Sequence, residues 1–99
     1  MELIGKQKAI LKAIGHELNV VVKIGDKGVS EGVIASTNEV LEVRELIKIS
    51  VSHPDRNFRK EAIAELATAT ESTIVNTIGK TALLFKENPD NPTVSKKLK

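Results

Sequence analysis

Two hydrophobic rhythms alternate along this chain, and their order leaves few folds open. In residues 6–16 the apolar side chains Ile10, Leu11 and Ile14, continued by Leu18, recur at helical spacing. Val20–Ile24 is then a β-branched run, the composition of a strand. The helical rhythm returns after Ser30, a residue suited to cap a helix N-terminus, and carries Val33, Ile34, Val40 and Leu41 to about Arg44. Ser36-Thr37-Asn38 weakens its middle. Leu46–Val51 alternates, with Ile47, Ile49 and Val51 on one side and Lys48 and Ser50 on the other. A third helix is predicted from a cap at Asp55 or Asn57 to about Thr70, burying Ala62, Ile63, Leu66 and Ala67. Thr73–Ile78 and Thr81–Phe85 complete the pattern as two strands joined by a turn at Gly79-Lys80.

The predicted order is α-β-α-β-α-β-β. It calls for an α+β two-layer sandwich, a four-stranded sheet with helices packed mainly on one face. The alternation in Leu46–Val51 leaves part of the other face open to solvent. At 99 residues there is room for one domain, assigned to residues 1–86. Residues 87–99 contain Asn88-Pro89-Asp90-Asn91-Pro92 and Lys96-Lys97-Leu98-Lys99 and are expected to form a disordered basic tail. There is no cysteine, so disulfides and thiolate metal sites are excluded. No apolar run approaches bilayer length, and the first residues lack the pattern of a signal peptide. A cytoplasmic, membrane-free monomer is the expectation.

The segment between the first strand and second helix is Gly25-Asp26-Lys27-Gly28. Two glycines in such a place make a turn, and they also let another backbone come close. The helix start beyond them offers unpaired N–H groups suited to a phosphate, and Lys27 adds a full charge. Net charge is only +2, so attraction to a nucleic acid must come from arrangement. Lys23 and Lys48 fall on the predicted open face of the sheet, and Lys6, Lys8 and Lys12 on the first helix. The only aromatics are Phe58 and Phe85, which makes base stacking a poor primary mechanism and backbone contact the better one.

The residues Lys6-Gln7-Lys8, His16, Ile24 through Ile34, Glu45-Leu46-Ile47-Lys48 and Ile78-Gly79-Lys80-Thr81 resemble the CRM domain in one register from about residue 3 to 86. They are most similar to its bacterial stand-alone form, the YhbY-type ribosome assembly proteins. The resemblance implies a fold similar to the C-terminal domain of translation initiation factor 3. It also implies RNA binding through Gly25, Asp26, Lys27 and Gly28 with Lys23, Lys6, Lys8, Lys12, Lys48 and Lys80 around them. The implied partner is large-subunit ribosomal RNA or pre-ribosomal (pre-50S) particles, in ribosome biogenesis. Against that pattern Asp26 is acidic, Val20 replaces a proline, Phe85 replaces a tyrosine, and Glu71 or Ser72 stands where a glycine would end the third helix.

Other readings compete. Ile63–Ala67 followed by Glu71–Ile78 has the spacing of a DNA-binding helix-turn-helix. Its recognition helix would hold Thr73, Ile74, Val75, Thr77 and Ile78, a run that prefers a strand. A protein-interaction module with an incidental basic face is compatible with the low net charge. An enzyme is not expected, nor a cofactor or metal. His16 ends a helix, His53 precedes Pro54 as plain surface, and Glu39, Glu42 and Glu45 form a solvated helix face. Gly79-Lys80-Thr81 lacks the earlier glycine of a phosphate-binding P-loop.

Overall fold

The computed structural model describes residues 2–98. Helix α1 spans Gly5–His16, strand β1 Val20–Ile24, helix α2 Glu31–Arg44, strand β2 Leu46–Val51, helix α3 Arg56–Thr70, and strands β3 and β4 Thr73–Ile78 and Thr81–Phe85; a short 3-10 turn covers Ser95–Leu98. The expected order α-β-α-β-α-β-β is the observed one. The run Thr73–Ile78 is a strand, so the helix-turn-helix has no recognition helix.

The strands form one mixed sheet in the order β1-β2-β4-β3. β1 and β2 are parallel, while β4 runs antiparallel to both β2 and β3. Alternation sends Ile47, Ile49 and Val51 with Ala82 and Leu84 to one face, where Leu41 of α2 and Ile63 and Leu66 of α3 complete the larger core. Leu46, Leu83 and Phe85 point the other way and bury Leu11 of α1. Two helices therefore share one face, and α1 covers only part of the other. Gly15 permits that third layer, because a Cβ there would overlap the methyl groups of Leu83.

Local chemistry explains the helix limits. Ser30 Oγ accepts from Val33 N–H at 3.2 Å and starts α2, and Asp55 Oδ1 accepts from Asn57 N–H at 2.8 Å and starts α3. Thr37, in the weak middle of α2, is fully buried, but its hydroxyl donates to the Val33 carbonyl at 2.7 Å. α3 ends without glycine: Glu71 takes the left-handed conformation (φ 55°, ψ 37°), while the Ser72 N–H donates to the Ala67 carbonyl.

Residues 87–98 depart from the expected disordered tail; Lys99 lies outside the described residues. The departure centres on Glu45, which is buried and not part of a solvated helix face. Its carboxylate accepts from the backbone N–H groups of Asn88 (2.7 Å), Thr93 (2.6 Å) and Ser95 (3.0 Å). Asn88 Nδ2 and Thr93 Oγ1 donate to the Glu42 and Arg44 carbonyls, which terminate α2, and Val94 and Leu98 pack against the α1 core. Burial raises the Glu45 pKa, but the backbone donors of Asn88, Ser95 and Thr93 outweigh it and bring it from 4.5 to about 2.

Candidate nucleic-acid interface

Because β1 and β2 run parallel, both finish at the same end of the sheet, and the β3–β4 turn arrives there too. The Ser52 N–H donates to the Ile24 carbonyl and the Val51 N–H to that of Lys80, each at 2.8 Å. This end gathers the Gly25–Gly28 loop, the 52–55 loop, Lys80 and the N-termini of α2 and α3.

The loop closes on itself through Gly28 N–H to the Gly25 carbonyl at 3.1 Å. Gly28 has φ 82°, a backbone region that side chains disfavour. Its outward neighbour is the ring of Phe58, whose Cζ would lie 3.5 Å from an added Cβ. Gly25 has no heavy atom within 4 Å of such a position, so the loop's first corner is open space at the head of a 14-residue helix. Asp26 and Lys27 are both exposed, and Glu31 follows in the first helical turn. The loop's own charge is thus nearly balanced.

Behind the loop, His53 is half-buried and not plain surface: its ring stacks on Phe58 with centroids 3.9 Å apart. Its Nδ1 accepts from the Asp55 N–H at 3.0 Å. Arg59 Nη1 donates to the carbonyls of His53 (2.7 Å) and Pro54 (3.1 Å), which fixes this second loop against α3. The Gly-x-x-Gly segment therefore rests on an ordered backing.

On the open part of the sheet, Lys48 and Lys12 line one shallow groove of about 240 Å³ with His16, Asn76 and Thr81. Lys23 is exposed and paired in register with Ser50, on the same face. Lys23 and Lys48 thus share a face, α1 brings Lys12 to the same face, and Lys27 and Lys80 lie at its loop end. Lys6 and Lys8 are not brought there. They belong to the first turn of α1, where Gln7 Nε2 donates to the Leu98 carbonyl at 3.4 Å, beside the C-terminal segment. The sequence reading also missed cations at the start of α3, where Arg56, Arg59 and Lys60 line a larger groove of about 910 Å³. The signal was present as Arg56-Asn57-Phe58-Arg59-Lys60, a basic cluster directly after a capping residue. Among the described residues no group of three acidic, histidine or cysteine side chains is placed to hold a metal ion, and no helix is long and apolar enough to cross a membrane.

Three helices on a four-stranded mixed sheet, with a glycine loop between the first strand and second helix, define a class of small α+β domains. Within that class the chain belongs to the CRS1/YhbY (CRM) domain family, whose pattern matches residues 3–86. Probable RNA-binding protein PA4753 of Pseudomonas aeruginosa is 37% identical over 89 residues, which cover 90% of this chain and 86% of that one. Probable RNA-binding protein YqeI of Bacillus subtilis is also 37% identical over 89 residues, covering 90% and 93%. The solution structure of the hypothetical protein SAV1595 from Staphylococcus aureus superimposes with a TM-score of 0.79 at 34% identity, covering 91% of this chain and 94% of that one.

Proposed function

We propose that this protein binds RNA through the Gly25–Gly28 loop and the lysine face beside it, as a binding protein and not an enzyme. The observation that carries the reading is the open corner at Gly25, where a foreign backbone has room to approach the start of α2. Such loops clamp a short run of about four nucleotides by the backbone. Lys27 and Lys80 supply charge at the loop, and Lys12, Lys23 and Lys48 extend it across the sheet. The relatives bear the names of RNA-binding proteins, and the matched family includes the YhbY type. The RNA we assign is large-subunit ribosomal RNA in pre-50S particles, met in the cytoplasm during ribosome assembly. Backbone clamping suits such a target, since it is largely indifferent to base sequence.

Asp26→Lys tests the loop. It keeps both glycines and removes a negative charge beside Lys27. If phosphate sits at the start of α2, the variant binds RNA about fivefold more tightly at low salt, and the gain shrinks as salt rises. Unchanged affinity at low salt with an unchanged melting temperature places the RNA elsewhere. Crosslinking in cells, with sequencing of the attached RNA and sedimentation against ribosomal particles, tests the ribosomal assignment.

A further inference from the structure

Beyond its Asp55 cap, the first turn of α3 is charged in the wrong sense for a helix. Its first turn contains no acid, and Arg56, Arg59 and Lys60 fall within its first five residues. The N-terminal end of a helix carries partial positive charge, so cations there destabilise it. Arg56 and Lys60 are also one turn apart, a spacing at which like charges repel. Arg59 is partly accounted for by its bonds to His53 and Pro54, yet its Nε is buried without a partner. Arg56 and Lys60 are both exposed.

These cations form one wall of the groove of about 910 Å³ between α3 and the β3–β4 hairpin. The other surfaces are different in kind: Ile63, Ala64 and Ile74 are apolar, and Thr77 offers a hydroxyl. A basic wall facing an apolar floor matches a nucleotide, with phosphate on one side and the base on the other. The groove and the loop both border the start of α3. Phe58, between the basic residues, is the ring that backs Gly28, and Gly79 lines the groove next to Lys80.

We infer that this groove is a second RNA subsite, which takes single-stranded nucleotides beyond those held at the Gly25–Gly28 loop. Arg56 and Lys60 contact phosphates, and Ala64 and Ile74 receive a base. The inference rests on the RNA reading above, and it extends the path from the open sheet face around the end of the sheet to the α3 side.

Fluorescence anisotropy of the full chain with oligouridines of four and twelve nucleotides tests it, since four nucleotides suffice for the loop. For Arg56→Gln/Lys60→Gln, the four-mer affinity should stay as in the wild type and the twelve-mer affinity should fall about tenfold. The salt slope for the twelve-mer should drop by about 1.4, the loss of two single-strand phosphate contacts. Ala64→Glu, at an exposed position on the floor, should weaken the twelve-mer alone. The melting temperature of the double variant should hold or rise, because two repelling charges are gone. Equal twelve-mer affinity in wild type and both variants overturns the subsite while leaving the loop reading intact. A four-mer weakened as much as the twelve-mer overturns it too, by assigning these cations to the loop's own site. A wild type that binds neither oligomer overturns both readings.

Discussion

The two ends of the sheet handle backbone polarity in opposite ways. At the end where β2 begins, the Glu45 carboxylate is buried and its oxygens are saturated by donors from Asn88, Thr93 and Ser95. At the end where β1 and β2 finish, the Gly25–Gly28 loop bonds only to itself in its turn, and its first corner faces open space. Both ends adopt positive φ, through Glu45 (61°) at one and Gly28 (82°) at the other. At Glu45 an ordinary side chain bears the strained backbone because its carboxylate is bonded. At Gly28 there is no side chain to strain, and the space left available is at Gly25. The chain uses saturation to hold its own segment and unsaturation to leave a place for another.

Breaking the saturated end should have the largest effect. Glu45→Ala leaves three backbone donors unpaired and should cost on the order of 3 kcal/mol, the linkage equivalent of a carboxyl pKa lowered from 4.5 to about 2. Hydrogen exchange should show residues 88–98 losing protection before the sheet does. The pH dependence has a definite sign. A depressed carboxyl pKa contributes stability that is fully present above about pH 4.5 and is lost as the pH falls toward 2. Urea unfolding across that window should show a decline that Glu45→Gln removes. A wild-type profile no steeper than the variant's would contradict the clasp.

The unsaturated end is sharpened by comparing its two glycines. Gly28→Ala should cost about 1–2 kcal/mol, the strain of φ 82° in an L-residue, since the Phe58 ring at 3.5 Å is in ordinary contact. Gly25→Ala meets nothing within 4 Å and should leave the melting temperature almost unchanged, while weakening RNA binding. Equal stability losses at the two positions would remove the distinction between a conformational and a steric glycine. The smallest effect belongs to Glu71, which has a strained φ of 55° without a carboxylate clasp. Glu71→Gly should stabilise the fold by about 1 kcal/mol or less, measured by chemical denaturation. A destabilised variant would mean that the Glu71 side chain contributes more than its backbone strain costs.

The elements were legible because local chemistry and burial agree in them. Ser30 and Asp55 cap the helices, and Ala62, Ile63, Leu66 and Ala67 are buried on α3 as the spacing predicts. The lysines of the open face follow from the alternation of β2, which sends Lys48 away from Ile47 and Ile49. The side of the sheet that a helix occupies has no comparable signal, and α1 takes the face opposite α2 and α3 through one close approach at Gly15. The docked C-terminal segment was invisible for a related reason. Its composition is that of a disordered tail, and what holds it are backbone N–H groups converging on one distant carboxylate. The α3 cations could be read as residues but not as a groove, because the opposite wall comes from β3 and the hairpin turn.

The position of β4 carries a consequence for how the molecule is made. It is the last strand in chain order, yet it is hydrogen-bonded on both sides, between β2 and β3. Until residues 81–85 leave the ribosome, β2 has an open apolar edge and β3 has no neighbour at all. The βαβ unit of β1, α2 and β2 can close early, but the sheet is joined only once β4 has emerged. A nascent chain that stalls before β4 exposes an unpaired edge, the feature from which strand-to-strand aggregation starts. Translation order and spatial order run against each other, so the speed with which β4 inserts governs how long each new copy remains vulnerable.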